Sequence, residues 1–177
     1  MLALVGTGLT LGLLAACSSE PTDPDPAASD HAASEAAGVG WSPCDGLAAQ
    51  DVRAVAGEPM DQRTGTEDAP RCTFVPRSEG GPAYDVSYLF FDGGLDTALD
   101  AMGTVGAQLE PVDVPGAAAA RIAVRERKSG ILVTGFVQTD GLVQSVNAVK
   151  LRPYDRDELV AGTTDLLALL ADRAPVA

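Results

Sequence analysis

The chain has 177 residues, with 12 basic against 25 acidic side chains, a formal net charge of −13 and one histidine. That balance excludes nucleic acid as a partner, because phosphate binding relies on clustered Lys and Arg. At 46% hydrophobic residues, the composition is that of a globular protein with room for one cored domain.

The first element is an uncharged apolar run, residues 2–16, broken only by Thr7 and Thr10. It is shorter than the roughly 20 residues a transmembrane helix needs, and it ends in small residues. Its last residues, Leu14-Ala15-Ala16, followed by Cys17, resemble the lipobox of bacterial lipoproteins. The resemblance implies a signal peptide over residues 1–16 and a diacylglyceryl thioether on Cys17, the first residue of the mature chain. Two or three acyl chains, of palmitate type, give stable attachment at about 0.8 kcal/mol per buried methylene. No Lys or Arg precedes the run, which points to a translation start upstream of Met1. The competing reading is an apolar N-terminal helix with a chance cysteine.

Residues 17–40 follow as a tether. Pro21, Pro24 and Pro26 stand among Ser, Ala and five acids, with no aromatic, Lys or Arg. Such a segment buries too little apolar surface to offset the entropy of ordering it, and disorder is expected. His31 lies here and reads as a solvated linker residue. Residues 41–177 form the expected single domain, with all 12 basic and 20 of the acidic residues, about −8.

With Cys17 acylated, Cys44 and Cys72 remain. An even pair in an exported domain predicts a disulfide, whereas a metal site wants closer spacing and further ligands. Asp45 can cap a helix that begins near Leu47 and ends at Gly57. Residues 58–70 are polar, with Gly65 and two prolines, and read as a loop. A short strand over 71–77 carries Cys72, and Gly80-Gly81-Pro82 turns the chain into an alternating strand over 83–91. Leu95, Ala98, Leu99 and Met102 predict a short helix, and residues 109–114 an extended stretch. Strands over 118–127, 131–139 and 142–151 then form an antiparallel meander, its second turn at Asp140-Gly141. The first of these strands places Ala120, Ile122 and Val124 inward and Arg121, Arg125 and Arg127 outward. A closing helix starts at the Asp155 cap, with Leu159, Val160, Thr163, Leu166, Leu167 and Leu170 as its apolar stripe. The fold class is therefore α+β: an antiparallel sheet of about five strands with N-terminal and C-terminal helices packed on it.

Chemistry is harder to find. The domain has no histidine and no free cysteine for a nucleophilic triad, and no phosphate-cradling loop. No residue is assigned as catalytic, cofactor-binding or metal-ligating, and no cofactor is called for. Two features stand as a speculative ligand or partner surface. One is the basic row Arg121, Arg125 and Arg127, which could receive an anionic headgroup or an acidic patch. The other is the aromatic cluster that includes Tyr88 and Phe91, beside the Gly93-Gly94 loop.

Pro43-Cys44-Asp45-Gly46-Leu47 and Cys72-Thr73-Phe74, with the lipobox and the Ser/Pro/Asp-rich linker, resemble a family of actinobacterial lipoproteins of unknown function. The pattern is also similar to the extracellular sensor domains of some mycobacterial receptor kinases. The resemblance implies placement on the outer face of the cell membrane and a disulfide, and carries no catalytic residue. The expected function is a lipid-anchored, non-enzymatic binding or sensor-like domain for an envelope lipid, glycan or protein. A carboxylate-dependent envelope hydrolase and a structural accessory of a membrane complex are the alternatives.

Overall fold

The computed structural model describes residues 42–66, 68–90 and 93–175, with no side chain described for Phe90. The expected signal peptide, Cys17, the tether, Trp41 and Phe91 lie outside the described residues. Two short helices, α1 (Pro43–Gly46) and α2 (Ala49–Ala56), lead into strands β1 (Met60–Thr66), β2 (Ala69–Pro76) and β3 (Ala83–Phe90). Helix α3 (Gly94–Ala101) and a 3-10 turn (Gly106–Gln108) carry the chain to β4 (Glu110–Pro111). The meander β5 (Ala119–Glu126), β6 (Gly130–Thr139) and β7 (Leu142–Leu151) follows, and α4 (Arg156–Asp172) closes the fold. The class is α+β, and the sheet has seven antiparallel strands in the order β1-β2-β3-β7-β6-β5-β4. After β3 the chain crosses to the far edge, and the meander returns to pair β7 with β3.

The two strands beyond the expected five have identifiable causes. Residues 58–70 read as a loop because they are polar, yet β1 is an edge strand in which only Met60 is buried. Its backbone pairs with β2 while its side chains stay in water, so it shows no alternation to detect. At the other edge, β4 is two residues long.

The first helix is also differently built. Ser42, not Asp45, is the first N-cap: its hydroxyl accepts from the Cys44 amide at 3.2 Å, and Asp45 reaches back to the Ser42 amide at 2.7 Å. This is a capping box with Pro43 at the first helical position. Leu47 is extended, which breaks the helix in two and drops its side chain into the core. Gly57 ends α2 at φ 73°.

The sheet has two unequal faces. On one, α1, α2 and α4 cover Phe74, Tyr84, Val86, Val133, Val137, Val146 and Ala148. Leu159, Leu166, Leu167 and Leu170 of α4 are buried there, as the helical stripe predicts. Gly135 lets α4 approach β6: a Cβ at that position would stand 2.8 Å from Leu167 Cδ1. On the other face, α3 makes a smaller core of Leu95, Leu99, Phe136 and Val143.

Cys44 and Cys72 are joined, with Cα atoms 5.1 Å apart, and the bridge pins α1 to β2. Cys72 is fully buried among the main-core residues. Replacing both cysteines by alanine is expected to lower the unfolding free energy by about 3–4 kcal/mol, the loop-closure value for this separation. Urea denaturation of the oxidised protein and the variant checks this; equal midpoints would contradict it.

Candidate functional site

A groove of about 630 Å³ with a mixed lining runs between α2 and α4. It is closed at one end by the Pro115-Gly116 turn. Its apolar lining is Ala54, Val55, Ala168, Leu169 and Pro115, and its polar lining is Asp51, Asp165, Asp172 and Arg173. Local sequence produces it directly. The inward stripes of α2 and α4 bury Val52, Leu166 and Leu170, so the residues one position round each helix are left facing the cleft.

One ion pair sets the groove's width. Arg173, just past the end of α4, donates through Nη1 and Nη2 to the two oxygens of Asp51, the second contact at 3.1 Å. Nη1 also donates to the Gly46 carbonyl at 3.2 Å. A single guanidinium therefore ties the end of α4 to both N-terminal helices. Gln144, almost wholly buried on β7, donates to the Leu170 carbonyl at 2.9 Å and holds the same end of α4 down on the sheet.

The electrostatics follow. The Arg173 hydrogen bonds, helped by the Ala48 amide and opposed by partial burial, hold the Asp51 carboxyl below its ordinary range. Asp165 and Asp172 are exposed on the α4 wall and have no hydrogen bond or ion pair among the described residues. They lie in the C-terminal half of a helix, where the macrodipole disfavours negative charge, and its last turn holds no base. Nearby in the main core, burial first and then Glu158 and Glu58 push the Tyr84 phenol up to about 12. It stays protonated at neutral pH and is a poor nucleophile there.

The speculative surface is split by the fold. Tyr88 is half-buried on β3, with Gln144 of β7 as its register partner, on the α4 face of the sheet. Arg121 and Arg125 lie on the opposite face, opposite Phe136 and Leu132. They are not an open row. Arg121 Nη2 meets Asp96 of α3 at 2.7 Å, and Arg125 Nη2 donates to Gln108 of the 3-10 turn at 2.9 Å. Both serve as latches for the α3 segment. Arg127 alone of the three is exposed, at the β5–β6 turn. Sequence reasoning missed the groove; its one available signal was the pair of acids in the wrong half of α4.

Among the described residues no group of three or more His, Cys, Asp or Glu is placed to hold a metal ion, and no helix is long and apolar enough to cross a membrane. Comparison with protein-family models and with curated proteins finds no match.

Two measurements test this geometry. Asp51→Asn is expected to cost about 1–2 kcal/mol at pH 7, the lower part of the range for hydrogen bonds to charged groups because the pair is partly exposed. A depressed folded pKa contributes stability above the unfolded value of about 3.9 that is lost as pH falls. The gap between the parent and Asp51→Asn should therefore close below about pH 4 in urea titrations; a pH-independent gap would contradict the pairing. The second concerns α3, whose N-cap position, Gly93, has no side chain. Gln138 Oε1 instead accepts from the Leu95 amide at 2.7 Å. Gln138→Ala removes about 1 kcal/mol of capping, so α3 amides should exchange about fivefold faster while β6 and β7 are unchanged.

Proposed function

We propose that the chain is an extracytoplasmic lipoprotein, held to the cell membrane through acylated Cys17, whose domain binds a ligand rather than transforming one. The observation that carries the binding reading is the α2–α4 groove, an apolar floor with acids along one wall. Apolar clefts with a few placed polar groups are the usual form of ligand sites. Support for the anchor comes from the lipobox and from the Cys44–Cys72 bridge, which suits an oxidising compartment. The same bridge is the feature the lipoprotein and sensor-domain resemblance leads one to expect.

The groove's chemistry favours some of the candidate ligands over others. Asp51 is neutralised by Arg173, and Asp165 and Asp172 add two carboxylates without hydrogen bonds among the described residues, Asp172 within Coulombic reach of Arg173. Anionic lipid headgroups are repelled by such a wall, whereas a protein segment or an amine-bearing glycan is attracted. A hydrolase reading fits less well. It needs one carboxyl kept protonated near neutrality, and Asp51 is shifted the other way. Asp165 and Asp172 stand on one helix, about 10 Å apart along its axis, not across the cleft from each other.

A photo-crosslinking residue at Ala54, which is exposed at the groove, tests the reading in intact cells. The expected result is a defined envelope adduct that Asp165→Lys with Asp172→Lys removes. The same adducts from parent and variant would overturn the groove assignment. An envelope substrate turned over by the parent and not by Asp165→Asn would replace binding with catalysis.

A further inference from the structure

The face of the sheet opposite the groove is only partly covered. Helix α3 lies over Phe136 and Val143, and beyond it the end of β7 is open. Val149 and Leu151 are 44% and 60% exposed, the latter the most exposed large apolar side chain among the described residues. Val149 pairs in register with Leu132 on one side and Ala83 on the other, both half-buried, so the apolar atoms form a row across three strands. A lone exposed leucine needs no explanation, but a contiguous row does.

Its surroundings reverse the character of the molecule. Six of the 12 basic residues fall within 125–128 and 150–156, in a chain with twice as many acids as bases. Three of these six are already engaged: Arg125 with Gln108, Lys150 with Glu158 and Arg156 with Glu126. The other three, Arg127, Lys128 and Arg152, make no ion pair among the described residues. All three are exposed, and the pairing of Leu151 with Gly130, the first residue of β6, sets the turn that carries Arg127 and Lys128 beside the end of β7. Arg152 Nε donates to the Lys128 carbonyl at 3.0 Å, and its guanidinium lies 4.9 Å over the Tyr154 ring. Arg152 thus ties the turn to the end of β7 on the side of Tyr154 and Glu126, and Arg127 and Lys128 are the cations left beside the leucine.

We propose that this corner, Leu151 and Val149 with Arg127 and Lys128 beside them, docks on an anionic lipid surface. The proposal rests on the lipid-anchor reading and adds what an acyl anchor cannot supply, an orientation. Exposed apolar side chains framed by Arg and Lys are the interfacial pattern: the aliphatic group enters the headgroup boundary while the cations stay among phosphates. Charge selects the occupant. The acidic groove is on the other face of the sheet, so docking by this corner turns it outward, toward the envelope. Screening over about 8 Å at physiological salt lets these two local cations act despite the domain's net negative charge.

The test uses the full chain reconstituted in vesicles, with an environment-sensitive fluorophore on Leu151→Cys and, as reference, on Asp165→Cys. The intact mass of Cys17 is read on the same samples. With phosphatidylglycerol vesicles carrying spin-labelled lipid, the label at position 151 should be quenched about threefold more than that at position 165. Phosphatidylcholine vesicles, or Arg127→Glu with Lys128→Glu, should abolish the difference. Equal quenching at both positions with acylated Cys17 overturns the docking surface and leaves the anchor. Position-specific quenching without the acyl mass supports the surface and removes the anchor. Two other occupants would also overturn the proposal: a self-association that the Arg127→Glu and Lys128→Glu chain loses points to a second copy, and binding to polyglutamate but not to vesicles points to an acidic protein.

Discussion

The packing of α4 across β6 and β7 is the constraint on which the rest of the molecule depends. Leu166 and Leu167 are wholly buried at that interface, and Gly135 provides the space that Leu167 fills. Burial of each leucine is worth about 1.5–3 kcal/mol. Once the helix lies there, its C-terminal end is fixed by Gln144 below and by Arg173 to one side. The groove is a consequence of that placement: α2 is held at a set distance by the Arg173–Asp51 pair, and the cleft between the helices stays open.

A second consequence is the asymmetry of the sheet. One face is wholly committed to the main core, while α3 covers only part of the other. Arg121 and Arg125, which in the sequence look like a solvent-facing basic row, hold this partial cover in place. Their engagement leaves Arg127 and Lys128 of the β5–β6 turn as the available positive charge at that corner of the sheet. Acid-rimmed groove and basic corner therefore occupy opposite faces of one thin layer.

Much of the fold was legible wherever burial imposed a period. The 83–91 alternation, the meander with its Asp140-Gly141 turn, and the α4 stripe all correspond to elements with one face in the core. Asp140 and Gly141 both have positive φ, as the tight turn requires. What escaped had no such imprint. β1 is held by backbone pairing at an edge, and β4, inside the expected extended stretch over 109–114, is too short to mark itself as a strand. The helix break at Leu47 depends on Ser42-Pro43 capping a single turn, and the stronger-looking Asp45 hides it. The groove was illegible for a different reason: Asp51 and Arg173 are 122 positions apart, and only the folded chain brings them together. Tyr88 and the arginine row illustrate the converse, since sequence grouped residues that the sheet puts on opposite faces.

Hydrogen–deuterium exchange of the intact, oxidised chain tests the primacy of α4 most directly. The amides of residues 159–170 should be protected as strongly as those of β6 and β7, and all three should open together as one cooperative unit. If α4 exchanged as fast as the edge strand β1 while the central strands stayed protected, the helix would be an accessory, and the groove would lose its foundation.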